Sequence, residues 1–512
     1  MPVHLQLLAL AGAFAIAAAI TPLFRVWAVR FGLVDSPDTS RKLHADPVAL
    51  CGGPVVLVSV LLASLTSVLL VPSLLEVGTE RMVAAGGLFI ACVAIVAVGM
   101  ADDRWQMRGR QKLAAQLVIA SFLVAIGYRF ESVSVLGGQL DLRWIAVPIS
   151  IAWLLLTINS INLIDGADGL CCSVGWIACA GFAAMATLQG HWIEATFAAT
   201  VAGALLGFLI YNFPPARVFL GDSGSMLIGL ILGALAIRTS LKGATAVSIL
   251  GPVAILALPF FDSSMAIVRR KLTGRSIFST DRGHLHHSLM TKGFGHSRLV
   301  LLVSFFSGVL AAGAFLSAAF KSEMIAMIAV LVVLGCLVAS RLFGYAELSL
   351  LVTRVAHFSD AVWTKARPGS LQRQRHYRLQ GERSWETIWD ALVEFADKHD
   401  LARVCLDLNA PWLHEGYHAC WNRAKLTDES RRWRMAVPLY TGDRTIGRLE
   451  FSGSLAAGAS CGLLDALSML VEAIESEACK IASEQSQLPL ETLRPLSATD
   501  GSLATTSPEY AA

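Results

Sequence analysis

The chain has 512 residues, a formal net charge of +3 and only 15% charged residues, with a mean hydropathy of +0.60. An ordinary soluble domain carries about a quarter charged residues, so an ordinary soluble protein is excluded and lipid is indicated as the solvent. The small net charge gives no ground for a nucleic-acid partner. The ten cysteines contain no C-x-x-C pair and suggest no disulfide framework. Cys92, Cys171, Cys172, Cys179 and Cys336 lie in apolar runs and read as small buried residues in reduced or lipid-buried settings.

The first apolar run has no Lys or Arg before it, and Arg25 and Arg30 follow it. That arrangement predicts no cleavable signal peptide, and the positive-inside rule puts the N-terminus outside. Apolar stretches of spanning length, about 20 residues, fall near 5–24, 54–75, 82–101, 113–128, 144–162, 171–190, 192–211, 218–237, 244–268, 299–320 and 324–340. The expected fold is an all-α polytopic membrane protein of about eleven transmembrane helices, with a small C-terminal soluble α+β domain. Alternate loops at 30–53, 102–112, 163–170, 212–217 and 269–298 then lie inside. They hold most of the basic residues of 1–342, among them Arg41, Lys42, Arg104, Arg108, Arg110, Lys112, Arg217, Arg269, Arg270, Arg275 and Lys292, as the positive-inside rule requires. An odd number of spans places everything after Arg341 in the cytoplasm.

From about residue 343 charges become frequent. The expected division is a membrane domain over 1–342, a linker over 343–384, a cytoplasmic α+β domain over 385–485 and a disordered tail over 486–512. Within the α+β domain, Trp385, Ile388, Trp389, Leu392 and Phe395 repeat at helical spacing, and 403–408 alternates like a strand. Residues 433–440 and 444–451 flank Thr441-Gly442-Asp443, a hairpin turn. A second helix is expected over 462–482. The last residues are rich in Ser, Thr and Ala, a composition that cannot build a core.

Ionisable residues beside membrane spans are costly and therefore functional candidates. Four clusters gather on the inside face. Asp102-Asp103 follows the third span and precedes Arg104, Arg108, Arg110 and Lys112. Paired carboxylates beside cations suit metal or phosphate chemistry, and the plainer alternative is a charged membrane-interface stop. Asn159, Asn162, Asp165 and Asp168, with a glycine after each Asp, describe a polar turn whose backbone can approach a ligand; the alternative is an Asx turn. Asn212, Arg217, Phe219 and Gly221-Asp222-Ser223-Gly224-Ser225 place a carboxylate at a helix start. Free N–H groups there can hold phosphate and Asp222 can bind Mg²⁺; the alternative is an N-cap aspartate. Asp281, Arg282, His284, His286 and His287 form a basic loop with too few further ligands for a closed zinc site. Oxygen-rich clusters without thiolate favour Mg²⁺, with Mn²⁺ as the alternative, over softer metals.

Read in order, R-K-L-H with Gly52-Gly53-Pro54, the DD pair, N-x-x-N-x-x-D-G-x-D-G-L, F-L-G-D-S-G-S and D-R-x-H-x-H-H resemble the polyprenyl-phosphate N-acetylhexosamine-1-phosphate transferases over about 1–342. The related phospho-N-acetylmuramoyl-pentapeptide transferases share the DD and G-D-x-G-S elements and lack the H-x-H-H pattern, so the N-acetylglucosamine branch is the closer likeness. The C-terminal domain lies outside the common pattern. The resemblance implies a many-span bundle with a cytoplasmic site. It implies Asp222 as the Mg²⁺ ligand and Asp102 and Asp103 as a catalytic pair. Lys112, Arg282, His284, His286 and His287 would contact phosphates. Asn162, Asp165, Asp168 and Asn212 would line the nucleoside pocket, with Phe219 stacking on uracil. The implied partners are a UDP-N-acetylhexosamine, undecaprenyl phosphate and the lipid bilayer, with a homodimer as the candidate assembly.

The expected reaction is attack of the lipid phosphate on the β-phosphorus with UMP leaving, a covalent aspartyl intermediate being the alternative. A sugar transporter is the rival reading. Transporters place their ionisable groups near the midplane of broken helices, whereas here they sit at the inside ends.

Overall fold

A computed structural model describes residues 3–35, 48–70, 79–135, 138–240, 249–272, 283–349, 351–352, 375–380, 385–399, 401–410, 415–423, 432–441, 444–454, 467–472, 474–476 and 480. The chain divides into two compact units, Met1–Ala366 with Leu379–Gly381, and Arg367–Arg378 with Glu382–Ala512.

The first unit is a helical bundle: α1 Val3–Arg30, α2 Gly52–Leu70, α3 Thr79–Trp105, α4 Gly109–Ala125, α5 Ala146–Ile164, α6 Leu170–Leu188, α7 Trp192–Asn212, α8 Gly221–Ser240, α9 Leu250–Ile255, α10 Ala257–Leu272, α11 Leu285–Thr291, α12 His296–Phe320 and α13 Glu323–Ala339. Eight of the described helices are long and apolar enough to cross a bilayer: α1, α2, α3, α5, α6, α7, α8 and α12. The helices α4 and α13, of 17 residues each, are shorter.

The span expected at 244–268 is two helices. Pro259 has no N–H for the Ile255 carbonyl and its ring would crowd that carbonyl. The chain therefore breaks at Leu256, and the ladder resumes with Phe260 N–H donating to the Leu256 carbonyl. The second piece, α10, carries Asp262 and Arg269-Arg270-Lys271.

The helix α8 sits at the centre of the bundle and touches α2, α3, α5, α6 and α7. Of its spanning stretch 89% is buried, against 22% for α1, as expected for a helix that is apolar all round. The bundle is turned out to lipid. Leu7, Leu8, Val118, Leu301, Phe305 and Leu331 are exposed, while α1 buries Ala9, Ala13 and Ala17 along α7, the small-residue packing that lipid solvent favours.

Three of the connections carry strands. Val34–Asp35 (β1) pairs antiparallel with Val48–Leu50 (β2), and β2 pairs parallel with Val218–Phe219 (β5). This small sheet ties the start of α2 to the start of α8, and thereby the Gly52-Gly53-Pro54 segment to the Gly221 turn. A separate hairpin pairs Ser132–Val135 (β3) with Gly138–Asp141 (β4).

The second unit is α+β. Its five-stranded sheet runs β6-β8-β7-β10-β9, with β6 Arg375–Gln380, β7 Arg403–Ala410, β8 Glu415–Asn422, β9 Arg432–Thr441 and β10 Arg444–Ser454. The helix α14, Glu386–Lys398, packs on it through Trp385, Trp389, Leu392 and Ala396 against Val404, Leu406, Tyr417 and Trp421. Helical residues recur at 467–472 and 474–476, within the stretch expected as the second helix; residues 486–512 lie outside the described residues.

Two sequence expectations are corrected here. Strand β6 comes from the stretch read as linker, because its edge position beside β8 needs no strong apolar pattern. Cys405 and Cys420 lie directly opposite each other across β7 and β8 and form a disulfide, although the cysteine spacing suggested no framework. The pairing depends on register between two strands, one of which carries no clear sequence signal.

Candidate active site at one end of the bundle

Three of the four polar clusters meet directly. Lys112, four residues into α4, donates to Asp222 Oδ1 (2.8 Å) and Asn162 Oδ1 (3.1 Å) and pairs with Asp102 Oδ2 (2.8 Å). Asn162, in the last turn of α5, donates from Nδ2 to Asp222 Oδ1 and to Ser225 Oγ (2.9 Å). The other Asp102 oxygen accepts the Met107 N–H at 2.8 Å. One ammonium from α4 thus stands between two carboxylates, one from α3 and one from α8. Of the two carboxylates, Asp222 is the more open, 33% exposed against 8% for Asp102.

Asp103 has a different place from its neighbour. Its Oδ1 accepts the Asp222 N–H (2.8 Å) and its Oδ2 the Ser223 N–H (3.3 Å). It caps α8 from another helix, supplying the acceptors that the first turn lacks. This sets aside the alternative reading of Asp222 as the helix cap, and it narrows the expectation of free N–H groups for phosphate, since those of Asp222 and Ser223 are already taken. Gly221 precedes them with φ +73°, and a Cβ there would press on the Asp103 carboxylate. A turn of that hand beside a carboxylate requires glycine.

The second cluster forms the floor. Asp165 follows α5, and Asp168 Oδ2 accepts the Ala216 N–H (3.0 Å), joining the 165–169 turn to the loop before β5. Asp165 keeps part of its surface open but is crowded by protein atoms. Burial, and then the carboxylates of Asp222, Asp103 and Asp168, push its pKa well above the usual carboxylate range. Asn212 is buried and donates from Nδ2 to the Val218 carbonyl (2.9 Å). Its amide therefore shapes the loop that presents Phe219, which is half-buried on β5 with its carbonyl accepting the Cys51 N–H.

The histidines reach the site through Gly166, which lies against the His286 ring. His284 and His286 are buried and stacked, 6.0 Å apart and 4° from parallel, and His287 lies 4.2 Å from His286. Burial, and then the flanking His287 and His284, hold the pKa of His286 well below the ordinary histidine value, so its ring stays neutral near pH 7. Sequence reasoning missed the group that orients this pair. Asp262 of α10 is fully buried, its Oδ2 is 3.0 Å from His284 Nδ1 and its Oδ1 accepts the Leu285 N–H at 2.8 Å. A carboxylate at Nδ1 favours a proton on that nitrogen and fixes the orientation of the ring. Its only signal was an aspartate within an otherwise apolar run. Nearby, Arg269 pairs with Glu347 in a buried ion pair. Arg282 and Asp281 lie outside the described residues.

Among the described residues no group of three or more His, Cys, Asp or Glu side chains surrounds a common point. What the site offers a cation is the partly open carboxylate of Asp222, within an all-oxygen and nitrogen setting. That suits Mg²⁺, which binds through one or two carboxylates and takes its other oxygens from substrate phosphates and water.

A bundle of helices of membrane-spanning length, with one ammonium held among several carboxylates at one end, has the groups that phosphate chemistry uses. Comparison with known proteins agrees. Residues 85–240 match glycosyl transferase family 4. The chain is 34% identical over 286 residues to a probable undecaprenyl-phosphate N-acetylglucosaminyl 1-phosphate transferase of Bacillus subtilis, covering 56% of this chain and 77% of that one. It is 36% identical over 359 residues to a decaprenyl-phosphate N-acetylglucosaminephosphotransferase of Mycolicibacterium smegmatis, covering 64% and 86%. A phospho-N-acetylmuramoyl-pentapeptide-transferase of Shouchella clausii is 31% identical over 306 residues, covering 56% and 90%. The chain belongs to glycosyl transferase family 4 and is a multi-pass membrane protein.

Proposed function

We propose that the protein transfers N-acetylglucosamine 1-phosphate from UDP-N-acetylglucosamine to undecaprenyl phosphate, releasing UMP and starting a lipid-linked cell-surface polysaccharide. The names of the Bacillus and Mycolicibacterium relatives support the sugar and the polyprenyl acceptor. The observation that carries the chemistry is the Lys112 ammonium held between Asp102, Asp222 and Asn162.

The acceptor is a phosphomonoester with a second pKa of about 6, so near neutral pH it is largely a dianion and needs little help from a base. One of its oxygens attacks the β-phosphorus. The bond from that phosphorus to the bridging oxygen breaks, and its electron pair leaves on UMP. Lys112 offsets the charge that gathers on the phosphoryl oxygens, the main catalytic task in such transfers. When bound, Mg²⁺ at Asp222 would supply further charge neutralisation at the diphosphate. Direct displacement is favoured over an aspartyl intermediate, because both Asp103 oxygens accept from the α8 backbone and both Asp102 oxygens accept from Met107 and Lys112.

In this reading the nucleoside lies over the 165–169 turn and β5. Phe219 stacks on uracil. Asp165, held toward its neutral form, can donate as well as accept a hydrogen bond. Asp168 and Asn212 keep that loop in shape, and neutral His286, with His284 and His287 beside it, bounds the phosphate side. The site faces the cytoplasm of a plasma membrane, the N-terminus lies outside, and α4, the α9–α10 pair and α13 complete about eleven crossings.

The test is UMP release by purified protein given UDP-N-acetylglucosamine, undecaprenyl phosphate and Mg²⁺, with and without EDTA. Asp222→Asn is expected to lower turnover by about a hundredfold or more, the scale for losing one electrostatic group at a reacting centre, without unfolding. Near-normal turnover in that variant would remove Asp222 from the metal site. Release with a different UDP-sugar alone would keep the chemistry and change the donor.

A further inference from the structure

The half of the bundle away from the site contains a cavity of about 420 Å³, within the range of roughly 300–1,000 Å³ typical of small-molecule sites. Its walls come from α2, α3, α7 and α8, with Tyr128 just past α4. The catalytic residues lie at the C-terminal ends of α3 and α7 and the N-terminal end of α8. The cavity is lined from the opposite ends of those helices, as Arg81 of α3, Glu194 of α7 and Arg238 of α8 mark. It is a second site.

The walls are largely apolar. Most of the hydroxyls that line them are turned onto backbone carbonyls. Ser67 donates to the Ala63 carbonyl (2.8 Å), Thr196 to Trp192 (2.8 Å), Thr200 to Thr196 (2.8 Å) and Tyr128 to Ala84 (3.3 Å). Away from the charged rim the walls offer water few polar partners, and a buried water needs two or more. The rim opens to the lipid-facing surface, since the lining residues Leu61, Met82 and Phe89 are also exposed. An occupant therefore arrives from the bilayer.

The rim is charged as well. Arg238 pairs with Glu194 (3.3 Å) and lies over the Tyr128 ring. Arg81, exposed in the first turn of α3, has no carboxylate partner among the described residues. Among the lining residues two arginines stand against one glutamate, one positive charge in excess. A hydrocarbon slot with a cation at its mouth matches an amphiphile with an apolar chain and an anionic head.

We propose that this cavity holds an acyl chain of an anionic phospholipid, with its phosphate against Arg81 and Arg238. The lipid is a structural ligand of α2, α3, α7 and α8 and touches no reacting atom.

The experiment is native mass spectrometry of the delipidated full-length protein after addition of phosphatidylglycerol or phosphatidylcholine of matched chains. Melting temperature is read in parallel, because a ligand bound only by the folded state raises it. One phosphatidylglycerol per chain is expected to be retained, about tenfold more tightly than phosphatidylcholine, and to raise the melting temperature. Arg81→Gln should abolish that preference while leaving UMP release unchanged. Ala85→Phe, or Ser64→Phe if the first does not fold, should lose both lipids by filling the slot. Equal retention of the two lipids, or retention indifferent to both fillings, would overturn the proposal. So would displacement of phosphatidylglycerol by an equimolar polyprenyl phosphate, which would make the cavity an acceptor site.

Discussion

At the scale of single residues, neighbours in sequence have separate duties. Asp102 holds the Lys112 ammonium while Asp103 holds the backbone of α8, because successive residues on a helix point about 100° apart. The same separation appears between His284, fixed by Asp262, and His286, which stacks on it. Asp262→Asn keeps size but can no longer hold the proton on His284 Nδ1. Turnover is expected to fall about tenfold to a hundredfold, the scale for outer partners that orient a functional histidine, with little change in KM for the UDP-sugar. Steady-state kinetics of UMP release measure it, and an unchanged kcat would make Asp262 merely structural. Lys112, Asp222 and Asn162 were visible in the sequence as polar residues beside apolar spans. Asp262 was not singled out, since one aspartate inside a run looks the same whether it touches substrate or another side chain.

At the scale of elements, the site depends on how closely α3 approaches α8. A Cβ at Gly99 would run into the backbone of Asp222 and Ser223, so this glycine sets the distance over which Asp103 reaches the start of α8. Gly99→Val is expected to push the helices apart, cost about 1–3 kcal/mol through overpacking and remove most activity. A melting curve together with UMP release tests it, and full activity would show that the cap tolerates the shift. In the second unit, Glu450 of β10 meets Arg434 (2.5 Å) and Arg448 (3.5 Å). Burial pushes its pKa up, but Arg434 first and then Arg448 and Arg403 outweigh that and hold it below the usual value. A carboxyl lowered in the folded state stabilises at pH values above its unfolded pKa, about 4.3, and that contribution is lost as pH falls through the folded-state value. Glu450→Gln should therefore melt earlier than the parent at pH 7, and the gap should close in acid. Calorimetry over that range is the check, and a gap independent of pH would exclude the ion pairs as its cause.

At the scale of the whole molecule, the described chemistry lies within the first unit, and the second has a core of its own built on Trp385, Trp389, Tyr417 and Trp421. A chain ending at Ala366 is expected to keep UMP release in membranes within about threefold of the full chain, as context effects of this order are ordinary. Loss of activity from well-folded truncated protein would assign the second unit a part in turnover. The charge pattern also belongs to this scale. Basic residues at alternate loops predict one face for all four clusters, and the contacts of Lys112 and Gly166 bring residues of all four to one end of the bundle.

The amino-acid sequence by itself determined the solvent, the helical stretches and which side chains are chemically active, because hydropathy and motif spacing are local properties that any window of the chain displays. It also made the helix and the hairpin of the second unit legible, through Trp385–Phe395 and the two runs around Thr441. Only the tertiary structure decided that Asp103 caps a helix more than a hundred residues away, that Asn212 serves the Val218 carbonyl, that Pro259 splits a span, and that Cys405 meets Cys420. Each of those depends on the register or approach of two distant segments, and such distances are set by the packing of the whole bundle or sheet, which no single stretch of sequence contains.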